Sequence, residues 1–464
     1  MGTDETRMVC ACVLLSALLA FAVHAADEPV AKSEPVFKDE AGYAASLEAL
    51  AGKCDSLGLA GEARVTRQWI VRREPGRQYF FVVAEQDPTQ PADDAPTVVK
   101  QWHSHFRDLR RDYARVLWES ALADAEARRP AAAYRKVHEV LREDPDHAEA
   151  RRVLGYKRSG DRWQPSERIR TQSGRTLPPT VGWKRNECVR VDSPHFHITT
   201  DAQTSVANAM AARLEVLHDV WRQLFFTAWS SPEQLQQVMR GKRQFPAPGA
   251  RYEIVLFRDR DEYVRQLKQV EPQIDVTKGY YQKGTRTAFF YAGDDSPAAT
   301  QYHEVTHQLF HGCTGASVDP GEHADFWIVE AMPLYMESFE PHNGYCTLGG
   351  PDSERLQYAR ARRLNENFYL ALDQLVPLSR TSLQQHPDLR AIYTEIAGLA
   401  HFLMDSQDGQ LRDAAIEYAR RVNSGDVPAD LLTRLAGKSF AELDAMYFEF
   451  MKTIPKQEAT DGHG

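Results

Sequence analysis

The sequence predicts an α+β protein, with a small helical region ahead of a larger domain that lays down strands first and helices afterwards. Short apolar runs of strand type cluster between His195 and Ala292, whereas Glu354 to Ile454 reads as mostly helical. A histidine-bearing helix falls where the two patterns meet. A stretch rich in Pro, Ser, Thr and Arg, from Gln164 to Gly182, separates these elements from an earlier helical pattern.

The chain has 464 residues, 42% hydrophobic and 26% charged. That is ordinary globular composition and excludes a disordered or fibrous protein. Residues 1–25 read as a signal peptide. Arg7 and Met8 precede an apolar run from Val9 to Val23, and Val23-His24-Ala25 offers small residues for cleavage. The run is shorter than the roughly twenty residues of a membrane span, so no stable span is expected in the mature chain. The expected location is the periplasm, the cell envelope or the extracellular space. A net charge of −9 argues against nucleic-acid binding, which would want a basic stripe. Cys54, Cys188, Cys313 and Cys346 remain after the signal, with no CxxC spacing. Cys313 and Cys346 flank the Glu330 segment and read either as a staple or as two free buried thiols.

Taken in order, residues 26–100 form an uncertain, β-rich N-terminal region. Gln68 to Val71 and Tyr79 to Val83 flank Glu74-Pro75-Gly76, which suggests a hairpin. Residues 101–163 read as helical, with Tyr134, Val137 and Leu141 at helical spacing and a break at Asp144-Pro145-Asp146. Ala133 to Gly155 resembles one tetratricopeptide-type helix pair. Solenoids need about three repeats, so this TPR-like region is expected to be an adaptor for a protein partner. Residues 164–183 are the linker, 184–456 the main domain and 457–464 a flexible tail.

Within the main domain, His195 to Thr200 alternates as a strand. His195 and His197, on a strand with no acidic or cysteine partner nearby, read as structural or surface residues. Asp201 can cap a helix whose stripe is Val206, Met210, Leu214, Leu217, Trp221, Leu224 and Phe225. Tyr252 to Phe257 is an apolar strand, and a charged helix follows from about Asp259. Gly279 to Gln282 and Thr287 to Ala292 are two further strands. The segment Thr287 to Tyr291 reads either as an edge strand that pairs with an extended peptide or as an ordinary sheet strand.

The chemistry concentrates at His303-Glu304-Val305-Thr306-His307. Ser296 suits a helix N-cap, Pro297 the first helical position and Gly312 the terminating left-handed position. Four residues apart on a helix, both imidazoles project onto one ion. Glu304 lies about 100° around from His303, where it can reach a water on the ion. An unrelated HExxH arises in roughly 4% of such sequences, so context must carry the reading. Zinc needs a third protein ligand and one position for water. Gly at 310 and His at 313 would mark a metzincin, but Phe310 and Cys313 stand there. Glu330 in Trp327-Ile328-Val329-Glu330-Ala331 is the preferred third ligand, over Glu322, His323 and Asp325. Pro333 would disrupt a helix interior, which places Glu330 in or near a first turn. Glu337 reads as an outer partner to a histidine. An oxyanion donor is also needed, and Tyr393 is preferred to His401. His311 is too far along the axis to share the ion and reads as a helix-end residue.

Trp327 to Glu337 closely resembles the gluzincin pattern of Trp, Glu three residues on, then an aromatic and another acid. Ala331 replaces its common Gly. With Ser193 to Asp201, His303 to His307 and Tyr393 to Leu403, residues from about Val189 onward resemble a peptidase MA-like, gluzincin family of exported bacterial proteins of unknown function. The resemblance implies a zincin-like fold: a mixed sheet plus an active-site helix, then a helical subdomain. It implies a zinc metallopeptidase acting on a peptide or protein, with His303, His307 and Glu330 on Zn2+ and Glu304 and Tyr393 catalytic. The second reading is a cell-envelope binding or assembly protein whose TPR-like adaptor works beside a catalytically idle zincin domain.

Overall fold

In the computed structural model the described residues are 37–456, apart from 84–86, 161, 165–168, 174–180, 185–186, 247–248, 315–318 and 426. The signal-peptide and tail readings lie outside them, as does much of the linker. The hairpin expected around Glu74-Pro75-Gly76 is replaced by helix and long-range pairing. Two helices, α1 (Glu40–Ser56) and α2 (Ala60–Trp69), precede strand β1 (Arg77–Phe81). Gln68 and Trp69 therefore end a helix. The partner of β1 is β11 (Tyr345–Gly349), antiparallel, with Arg77 opposite Gly349 and Phe81 opposite Tyr345, and the short β10 (Glu340–Pro341) pairs with the other side of β11. A pairing so distant leaves no local trace, which is why the nearer run looked like its mate.

Helices α3 (Thr97–Glu126) and α4 (Pro130–Glu143) pack side by side, and α5 (Ala148–Val153) follows with only 6 residues. Phe106, Leu109, Tyr113, Val137 and Leu141 form the core of this helical layer with Leu47 and Tyr43 of α1. Buried polar groups knit the four long helices. Glu143 Oε2 accepts from Tyr43 Oη at 2.7 Å and from Trp69 Nε1 at 2.8 Å. Arg110, fully buried, meets Asp87 and the Glu143 carboxylate. A buried guanidinium is tolerated only with such pairing.

After a short hairpin, β2 (Lys157–Ser159) and β3 (Arg162–Gln164), the chain builds a six-stranded mixed sheet. Its members are β4 (Arg170–Ser173), β5 (Val189–Asp192), β6 (Phe196–Thr200), β7 (Tyr252–Phe257), β8 (Tyr280–Gln282) and β9 (Thr287–Tyr291), in the order β4-β5-β6-β7-β9-β8. Strands β6, β7 and β9 run parallel, and the outer pairs are antiparallel. The α+β class is thus observed. Thr287 to Tyr291 is an interior strand, because β9 is flanked by β7 and β8. On this side the sheet ends at β8, the strand read at Gly279 to Gln282, and β4 forms the other edge. β9 is buried at every position, which is the pattern of an inner strand.

Helix α6 (Thr204–Leu224) covers one face of the sheet and buries every residue of its predicted stripe except Val206, which is 40% exposed. Asp201 does not cap it; Gln203 holds that position without a side-chain bond. Asp201 Oδ1 instead accepts the Arg258 backbone N–H at 2.8 Å, tying the ends of β6 and β7 together. Helices α7 (Phe226–Trp229) and α8 (Pro232–Met239) return to the helical layer, where Phe226, Leu235 and Val238 join its core. Helix α9 (Arg260–Leu267) covers the other face with Tyr263 and Leu267.

The remaining helices are α10 (Ala298–Thr314), α11 (Phe326–Met336), α12 (Glu354–Asn365), α13 (Leu372–Leu375), α14 (Arg380–Gln384), α15 (Leu389–Asp405), α16 (Arg412–Ser424), α17 (Leu431–Ala436) and α18 (Phe440–Thr453). All of α11 is buried, against α10, α15 and α16. Pro333 sits inside this helix at its eighth position, so Glu330 lies in the second turn. The missing proline N–H leaves one carbonyl without its helical partner. Burial of the whole helix in the core outweighs that loss. From Phe37 onward the chain forms one compact unit. Among the described residues no helix is long and apolar enough to cross a membrane. Cys54, Cys188, Cys313 and Cys346 are free thiols, so Cys313 and Cys346 form no staple.

Candidate metal centre

Helix α10 turns its apolar side, Val305, Leu309 and Phe310, into the core. That fixes the opposite side, with His303 and His307, toward α11. The two Nε2 atoms are 3.3 Å apart. Glu330 brings Oε2 to 3.5 Å from His303 Nε2 and Oε1 to 3.7 Å from His307 Nε2. A tetrahedral ion bonded at about 2.0–2.2 Å spaces its ligands by about 3.3–3.6 Å. Two imidazoles and a carboxylate at this spacing fit a single divalent ion, zinc among the candidates.

Charge within the cluster is strongly organised. Burial alone would depress His303, but the carboxylates of Glu330 and Glu337 outweigh it and lift the imidazole to about 10. Burial would raise Glu330, yet His307 and His303 hold it far below the usual carboxylate range. A cation between them serves the same carboxylate as the protonated imidazole does.

Glu337 stands behind His303, with Oε1 2.9 Å from Nδ1. Arg355 Nε and Nη2 donate to the two oxygens of Glu337 at 2.8 and 3.1 Å. This relay fixes which ring nitrogen of His303 faces the cluster. Glu304 projects beside the histidines, and the Tyr281 backbone N–H of β8 donates to its Oε2 at 2.9 Å. Tyr393, from α15, lies next to Glu330 and Glu304. Burial first, and then those two negative charges, pushes its hydroxyl well above the ordinary phenol value, so it keeps its proton.

The structure therefore gathers His303, Glu304, His307, Glu330, Glu337 and Tyr393. It leaves others out. Glu322 and His323 are exposed, and Asp325 accepts the Tyr418 hydroxyl. His401 is fully buried elsewhere, 3.2 Å from Asp405 Oδ2 and 3.0 Å from Ser353 Oγ. His311 sits in the last turn of α10, with Nδ1 2.6 Å from Tyr281 Oη.

Two details of α10 differ from the sequence reading. The helix begins at Ala298, and Ser296 Oγ makes no cap bond among the described residues. Gly312 does not end the helix, which continues to Thr314. Its lack of a side chain serves packing, since a Cβ there would lie 2.6 Å from Tyr252 Cε1.

His195 and His197 do have acidic partners, contrary to the sequence reading. His197 Nδ1 is 2.6 Å from Asp192 Oδ1, and His195 Nδ1 is 2.7 Å from Glu215 Oε2. With His218, His195 and Glu215 make a second His–Glu–His group, its donor atoms within 4.8 Å of one another. Glu215 and His218 are three apart on α6 and so share a face. That spacing was a signal available in the sequence, though His195 reaches it only through the fold.

Comparison of the chain with protein-family models, with curated proteins and with solved structures finds no match.

Proposed function

We propose that this protein is an exported zinc metallopeptidase of the gluzincin type, built on a zincin-like domain with a TPR-like helical layer. The convergence of His303, His307 and Glu330 at 3.3 to 3.7 Å, with Glu304 and Tyr393 at its rim, carries the reading. When bound there, zinc would supply electrophilic polarisation of a peptide carbonyl and lower the pKa of a water.

The chain's own groups supply the remainder. Glu304 takes the proton of the attacking water and delivers it to the leaving amine, the ordinary work of a positioned carboxylate. The Tyr281 N–H holds that carboxylate in place before reaction. Tyr393, kept protonated, donates its hydroxyl to the oxyanion that forms at the carbonyl. Glu337 and Arg355 hold the His303 ring in one orientation.

Zinc analysis of the purified protein, run beside cleavage of a peptide library, tests the proposal. About one zinc per chain at the site is expected, with cleavage that Glu304→Gln abolishes while the zinc stays. A chain with no zinc, or with zinc and no cleavage of any peptide, would overturn the reading.

A further inference from the structure

A second cavity of about 510 Å³ lies beside the C-terminal half of α10, lined among others by His195, His218, Arg222, Arg251, Tyr252 and Arg286. It adjoins the catalytic group. Tyr281 bridges the two, with its N–H on Glu304 and its side chain in the cavity wall. Apart from the Tyr281 N–H, none of these cavity residues is used in the hydrolysis described above.

The His195–Glu215–His218 group on its wall is a poor cation site. Glu215 already accepts from Ser193 Oγ at 2.5 Å, from the His195 N–H at 2.8 Å and faces His195 Nδ1 at 2.7 Å. The positive charge around the group also has the wrong sign for a cation. Three arginines line the same space. The Arg222 guanidinium lies on the Trp229 ring, its Cζ 3.7 Å from the centroid. Neither Arg222 nor Arg286 has an ion-pair partner among the described residues. Of the nearby acids, Asp219 is pushed up to about 7 by burial, and burial also raises the Glu253 carboxyl in the cavity lining, which reduces the negative charge set against the arginines.

His218 points the same way. It is 7% exposed, and its contacts are ring contacts with His195, Phe196 and Tyr252. Neither of its nitrogens has a hydrogen-bond partner among the described residues. Burial, with His195 and Arg222, holds it well below its ordinary pKa. Burial disfavours any charge there, but the part due to His195 and Arg222 is a positive field, which disfavours a metal cation and favours an anion.

We propose that this cavity binds an oxyanion, and specifically a carboxylate carried by a peptide, as an acidic side chain or a C-terminus. Arg222, Arg251 and Arg286 supply the charge-assisted donors. Trp229 and Tyr252 form walls for the apolar part of the ligand. The peptide as carrier rests on the peptidase reading; anion binding itself does not.

Trp221 and Trp229 line the cavity, so tryptophan fluorescence reads its occupancy. The full chain is titrated with succinate, its neutral analogue succinamide, and inorganic phosphate. Neutral 1,10-phenanthroline is present to keep the zinc centre out of the signal. Succinate should give a saturable change and succinamide none. Arg286→Met, at a side chain with no ion pair to lose, should raise the Kd for succinate at least about tenfold. Arg222→Met should do the same, with melting temperatures recorded for both variants.

No saturation by either anion, or an unchanged Kd in both folded variants, overturns the proposal. Binding of phosphate alone overturns the carboxylate assignment. Zinc retained by a His303→Ala/His307→Ala chain and lost on adding Glu215→Gln would replace it with chelation. The titration measures binding without turnover, so its failure and the failure of the peptidase reading are seen separately.

Discussion

Glu337 Oε1 lies 2.9 Å from His303 Nδ1, on the side of the imidazole away from Glu330. A carboxylate in that place makes the opposite nitrogen the better donor to an ion and stops the ring from turning. Glu337→Gln keeps the shape and a hydrogen bond but removes the charge. Zinc affinity should fall roughly 10- to 100-fold, as read by competition with a chromogenic chelator. Glu330→Gln should abolish binding at this centre. Equal effects from the two substitutions would contradict the division into ligand and outer partner.

In the proposed mechanism Tyr393 acts on the oxyanion and not on binding of the substrate. Tyr393→Phe should lower kcat by about 10²–10³, the usual loss for one oxyanion donor, with little change in KM. Steady-state kinetics on any cleaved peptide checks this. An unaltered kcat would assign Tyr393 to packing alone.

Gly312 faces the Tyr252 ring from within α10. Gly312→Ala would improve helix propensity by about 1 kcal/mol at an exposed position. Here the new methyl meets an aromatic ring, and overpacking of that kind costs roughly 1–3 kcal/mol. Urea denaturation should therefore show a lower midpoint. A higher midpoint would mean that the Tyr252 ring moves aside freely.

Glu395 is fully buried, and burial pushes its carboxyl up to about 8 from an ordinary 4.5. With the folded pKa raised, the native state holds a proton that the unfolded chain has released above about pH 4.5. The stability from this proton is complete below the unfolded pKa and is lost as pH rises through 8. Glu395→Gln imitates the protonated acid at every pH. The variant should match the wild type near pH 4.5 and exceed it by a few kcal/mol, about 2–5, above pH 8. Denaturation midpoints for both proteins across pH 4.5–8.5 decide it; parallel curves would show that Glu395 ionises normally.

Local pattern carried much of the site. His303 and His307 are four apart on a helix that the flanking residues announce, and helical geometry alone puts them on one face. Trp327 to Glu337 pointed to Glu330, and Glu337 was readable as an outer partner to a histidine. The strands β6, β7 and β9 and the α6 stripe were legible because each repeats its polarity over several residues. The structure departs from local propensity at Ser296, whose hydroxyl makes no cap bond among the described residues, and at Gly312, which packs on the Tyr252 ring within the helix.

What the sequence determined by itself was the α+β order of elements and the HExxH helix with its downstream glutamate, since both follow from spacing along one chain. Tertiary structure alone decided that β1 pairs with β11, that β8 and not β9 is an edge of the sheet, and that His195 meets Glu215. It also decided which of the aromatic and imidazole candidates, Tyr393 or His401, stands at the cluster. These are contacts between segments far apart in sequence, fixed by the packing of whole helices and the sheet, and no short-range periodicity records them.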